Sequence, residues 1–107
     1  MSQVVIHNDT VYLAGQVASG APGASVAEQA KDIFARIDAL LAEAGSDKTK
    51  LLTATIWLVD MASFAEMNRV WEAWVATGAA PARATVASPQ LASPDYTIEI
   101  AVTAARS

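Results

Sequence analysis

Two isolated charges in the C-terminal quarter of the chain are the residues best placed to do chemistry. Between Glu72 and Asp95 the only charged residue is Arg83, and between Asp95 and Arg106 the only one is Glu99. Each sits in an alternating, strand-like run. Arg83 shares a face with Thr85 and Ala87, and Glu99 shares one with Thr97, Ala101 and Thr103. If the two strands pair side by side, a guanidinium and a carboxylate approach on one face of one sheet. A lone charge in an apolar sheet is costly to bury unless it is paired or opens on a cleft. Two readings follow. In one, Arg83 and Glu99 form a structural ion pair. In the other, the Arg83 fork grips a small carboxylate through two parallel hydrogen bonds while Glu99 handles a water or a proton.

Composition narrows the field. The chain has 107 residues, enough for one domain with a small core. Its apolar fraction of 53% exceeds the usual range, yet no apolar run approaches bilayer length. The start, Met-Ser-Gln-Val-Val-Ile-His, lacks the basic and apolar regions of a signal peptide. A cytoplasmic protein that covers its surplus apolar surface with copies of itself is expected. With no cysteine there is no disulfide or thiolate chemistry, and His7 alone cannot build a metal cluster of nitrogen and sulfur ligands. A net charge of -4 with no Lys/Arg run weighs against nucleic acid as a partner.

The elements that must position the two charges follow from periodicity. Residues 3–8 and 10–16 read as strands joined by a tight Asn8-Asp9 turn. Residues 17–24, with two glycines and a proline, read as a mobile loop; Gly15 before it either admits a ligand to the backbone or relieves crowding in a strand. Ser25-Val-Ala-Glu28 is a capping box that opens a helix with Ala30, Ile33, Phe34, Ile37, Leu40, Leu41 and Ala44 on one face, ended by Gly45. Residues 51–59 are apolar on both faces and read as a central strand covered on both sides. A second helix, capped by Asp60 or by a Ser63/Glu66 capping box, carries Phe64, Met67, Val70, Trp71, Trp74 and Val75 and stops near Gly78. Its tryptophans read as core, and Asn68 lies near a pocket rim or faces water. Pro81 then opens the Arg83 strand, a link with Pro89 and Pro94 follows, and the Glu99 strand closes the chain. This order predicts an α+β fold with both helices on one face of a sheet.

The run Pro81-Ala82-Arg83-Ala84-Thr85-Val86, followed by Leu91 and by Ile98-Glu99-Ile100, resembles the C-terminal signature of the RidA/YjgF family of reactive-intermediate deaminases. Val11 to Gln16 resembles that family's second strand, Thr55 to Asp60 its central strand, and Phe64 to Asn68 the start of its second helix. The resemblance implies a chorismate-mutase-like α+β domain of order ββαβαββ, one mixed sheet with two helices on one face, assembled as a homotrimer around an inner β-barrel with ligand clefts between subunits. It implies hydrolysis of enamines and imines of the 2-aminoacrylate type to 2-oxo acids and ammonia, without metal, nucleotide or prosthetic group. On the matching positions, Arg83 anchors the substrate carboxylate and Glu99 positions water or moves a proton. Thr85, Gly15 and Asn68 would contact ligand or water.

The chain departs from that pattern in three ways. Thr85 stands where many members have Cys, Pro89 where a small or basic residue is expected, and the N-terminal Gly-Pro-Tyr segment has no counterpart. The short form resembles the family's YoaB-like branch. A non-enzymatic trimer that senses or carries a small carboxylate is the alternative, and a ribonuclease or translation inhibitor a distant third.

Overall fold

A computed structural model describes residues 1–107. Strands β1 (Val4–His7) and β2 (Thr10–Leu13) form a hairpin in which Asn8 takes a positive φ of 55°, the left-handed conformation the turn demands. The expected second strand is broken: after Ala14 and Gly15, Gln16–Val17 forms a separate short strand, β3. Helix α1 is Val26–Glu43, β4 is Leu51–Leu58, α2 is Phe64–Trp74, β5 is Ala82–Ala87 and β6 is Ile98–Ala105.

The sheet runs β1-β2-β6-β4-β5, with β3 also paired to β6. All neighbours are antiparallel except β4 and β5, which α2 links as a parallel strand-helix-strand unit. One face of the sheet carries the core. Val11, Leu13, Ala54, Ile56, Leu58, Ile98, Ile100, Val102 and Ala104 meet Ala30, Ile33, Phe34, Ile37 and Leu41 of α1 and Met67, Trp71 and Trp74 of α2. The aromatic centre of the helix layer is tight, with Phe34 stacked on Trp74 at 4.3 Å and tilted against Trp71 at 6.1 Å.

The other face has no cover within the chain. Val5, Tyr12 and Val86 are exposed there, and Thr55 and Trp57 of β4 are only partly buried. The two-sided burial expected of β4 is therefore one-sided, since both helices pack on the same side.

Local signals divided. Ser25 caps α1 by accepting from the Glu28 N–H at 3.2 Å, and Gly45 ends it at φ 77°. The Ser63/Glu66 capping box does not form. Asp60 caps a short 3₁₀ turn, Met61–Ser63, and Glu66 instead accepts from the Ala27 N–H at 2.8 Å, closing the first turn of the other helix. Helix α2 also ends at Trp74, several residues before Gly78.

The loop after β3 is tied to the body through the Gly20 N–H on Asp32 and the Gly23 N–H on the Asp95 carbonyl. Gln29, fully buried in α1, completes that tie. Its amide donates to the carbonyls of Ala24 and Asp95, at 2.9 and 3.0 Å, and accepts from the Thr97 N–H at 3.0 Å. This one side chain fixes the segment that feeds Glu99 into β6. Replacing it by the near-isosteric Leu leaves those backbone groups unpaired at a cost of about 2–4 kcal/mol, an outcome measurable as a lower urea midpoint for Gln29→Leu.

Candidate functional site

The two charges do not meet. Strand β4 lies between β5 and β6, so the Arg83 and Glu99 strands never pair. Register also places them on opposite faces. Arg83 is opposite Ala54, which belongs to the core face, whereas Glu99 is opposite Trp57 on the uncovered face. The expected approach on one face of one sheet is corrected accordingly: paired residues share a face, and these two have different partners of opposite parity.

Arg83 sits, partly buried, on the edge strand β5 and reaches over α2. Its Nη1 donates to Asn68 Oδ1 at 2.8 Å. The guanidinium carbon lies 5.0 Å from the Trp71 ring centre and 5.7 Å from that of Phe64. Such contacts contribute about 0.5–2 kcal/mol each and leave most of the fork's donors unspent. Neither of the chain's two ion pairs, Lys31–Glu28 and Arg36–Asp32, includes Arg83. A guanidinium seated on rings and an amide, without a carboxylate of its own, keeps donors free for an acceptor from outside the chain.

Thr85 lies two residues further along β5 on the same face, opposite Ile56. Its hydroxyl is buried without a partner. Asn68 is partly buried and accepts from Arg83, and its Nδ2 donates to the exposed Glu72 Oε1 at 3.0 Å.

Gly15 and Glu99 form the other half. A Cβ at Gly15 would stand 2.2 Å from Glu99 Oε2, so the missing side chain leaves the space that the carboxylate occupies. Val17 pairs with Glu99, which keeps this half on the uncovered face. The five candidate residues thus divide into Arg83, Thr85 and Asn68 on one side of the sheet, and Gly15 and Glu99 on the other.

Sequence reasoning missed Phe64 and Trp71 as supports of Arg83, and Glu72 as a partner of Asn68. Their spacing from Asn68 marks a single helical stripe. A parallel β4-α2-β5 unit turns that stripe toward β5, but the periodicity alone also fits ordinary core packing.

The protein-family model described as Endoribonuclease L-PSP matches residues 1–106. The RutC family protein YoaB of Escherichia coli K12 is 45% identical over 104 residues, 97% of this chain and 89% of the relative. This chain belongs to the RidA/YjgF family. A crystal structure of a YjgF family member from Neisseria meningitidis superposes with a TM-score of 0.95 at 47% identity, covering 100% of this chain and 87% of that one. The family assignment makes the α+β fold chorismate-mutase-like. A more distant relative is the bovine 2-iminobutanoate/2-iminopropanoate deaminase, 38% identical over 89 residues, 78% of this chain and 64% of the relative.

The Gly15 contact yields a direct test of the Glu99 half. Gly15→Ala forces the Glu99 carboxylate to swing away, because its flexible end yields more readily than the backbone. The expected outcome is a displaced Glu99 in a crystal structure of the variant, with the unfolding midpoint nearly unchanged.

Proposed function

We propose that this RidA/YjgF family protein is an enamine/imine deaminase acting on reactive imino acids of the 2-aminoacrylate type. The observation that carries the reading is the Arg83 receptor: a partly buried guanidinium held by Asn68 and Trp71, with no carboxylate partner in the chain. A small 2-imino acid supplies the missing carboxylate. The likeness to the bovine deaminase supports the same chemistry.

The reaction asks little of the protein. The enamine tautomerises to the imine, water adds across C=N, and the resulting carbinolamine expels ammonia to leave the 2-oxo acid. Each step proceeds in water, so orientation of the carboxylate and of the attacking water is the main contribution required. Arg83 anchors the carboxylate. Glu99 accepts a proton from the water and returns one to the departing nitrogen. Backbone groups near Thr85 and Gly15 flank the bound acid.

Because Arg83 and Glu99 lie on opposite faces of one chain, a complete site needs two copies, with Arg83 of one facing Glu99 of the next. A homotrimer built on the uncovered sheet face, its strands forming an inner barrel, meets that need and removes Tyr12 and Val86 from water. Val86→Asp, on the uncovered face, is expected to lower the assembly's mass in sedimentation and to abolish turnover together. Full activity in a monomeric variant would rule out the shared site.

The division of the site also favours a second reading, a carrier of small carboxylates that uses the Arg83 half alone. Turnover separates the two. With 2-aminoacrylate generated in situ and 2-oxo acid release followed, Arg83→Ala should lower kcat/KM about tenfold to a hundredfold, the range for loss of a charged hydrogen bond. Equal rates for both proteins would remove the deaminase reading. Binding of 2-oxobutyrate that depends on Arg83, without turnover, would establish the carrier.

A further inference from the structure

The Arg83 receptor rests on an amide whose orientation is not fixed by Arg83 alone. The two ends of an Asn side chain are nearly isosteric, but only the oxygen can accept from a guanidinium. If the amide turns over, it presents N–H groups to a cation and the seat is lost. In this chain the other end of Asn68 is held: Nδ2 donates to Glu72 Oε1 at 3.0 Å, one turn further along α2. A carboxylate only accepts, so it selects the amide nitrogen and leaves Oδ1 for Arg83 Nη1 at 2.8 Å. Phe64, Asn68, Trp71 and Glu72 lie on one stripe of the helix. The two rings lie 5.7 and 5.0 Å from the guanidinium carbon, and the amide oxygen takes Nη1.

We infer that Glu72 is a positioning residue for Arg83, acting through Asn68. The inference rests on the reading of Arg83 as the anchor for a substrate carboxylate. Glu72 touches neither Arg83 nor, by this geometry, the substrate. Its effect is on how often the fork is presented correctly, and therefore on KM and on 2-oxo acid affinity, not on kcat.

The test compares wild type, Glu72→Ala and Glu72→Gln. Ala is at least as good a helix former as Glu, so α2 is retained, and the unfolding midpoint monitors this. Two readouts are taken. The first is binding of 2-oxobutyrate by calorimetry, with KM and kcat for a 2-imino acid where turnover occurs. The second is nitrogen-15 NMR of the Arg83 guanidinium, which reports rotation about the Cζ–Nη bonds with or without ligand.

The expected result for Glu72→Ala is an affinity about threefold to tenfold weaker, a KM raised by the same factor, an unchanged kcat and faster guanidinium rotation. Glu72→Gln can donate as well as accept, so it no longer selects the amide nitrogen and restores these only in part. An affinity and a guanidinium signal unchanged in Glu72→Ala would overturn the inference. So would a Gln variant indistinguishable from wild type in both readouts, since an acceptor-only group would then not be what orients the amide. Failure of wild type to bind any 2-oxo acid would remove the anchor reading itself, while the guanidinium readout still decides whether Glu72 sets the fork.

Discussion

A cation kept partly dry without a matching anion is the constraint on which the rest of this structure depends. Most buried guanidiniums are neutralised within their own chain, because an unpaired buried charge is expensive. Here Arg83 is given an amide oxygen and two aromatic faces instead. Those partners lower the cost of partial burial without cancelling the charge. Its remaining N–H donors are therefore left for a partner from outside the chain. The seat requires α2 to lie against β5, and so the parallel β4-α2-β5 unit is as much a part of the receptor as the side chains on it.

The remaining architecture follows from putting both helices on one side of the sheet. That choice concentrates the core on the face that carries Ile56, Ile98, Ile100 and Val102 and leaves Tyr12, Trp57 and Val86 with no cover from the same chain. It also separates the two chemical groups. Arg83 belongs to the covered face and Glu99 to the open one, next to the gap left by Gly15. Surplus apolar surface and the separation of the two charges are then two consequences of one packing decision, and the proposed association of copies of the chain would answer both. Gln29 has a quieter part, since its hydrogen bonds with the Asp95 carbonyl and the Thr97 N–H hold the start of β6 to α1 and so hold Glu99 in register.

Much of this was legible in the residues. Isolation of Arg83 and Glu99 in alternating runs marked them as candidates, Ser25 and Gly45 bounded the first helix, and Asn8 marked the hairpin. Other local signals misled for identifiable reasons. The Ser63/Glu66 spacing has the form of a capping box, but the Ala27 N–H across the helix pair competes for the same carboxylate and wins. Alternation over residues 10–16 reads as one strand, but the chain breaks at Ala14 and Gly15 and then re-pairs with β6. Asn68 lacks a periodic signature of its own, and its role depends on what lies across from it.

By itself the sequence determined which residues are hydrophobic on a shared face, where the helices begin and the hairpin turns, and which two charges stand alone, because these depend on neighbours within a few positions along the chain. Strand order, the face each charge occupies and the partner each polar side chain takes were decided only by the tertiary structure. Those depend on which segment packs beside which. A strand inserted between two others, or a shift of one residue in register, moves a side chain to the other side of the sheet without altering the pattern that can be read along it.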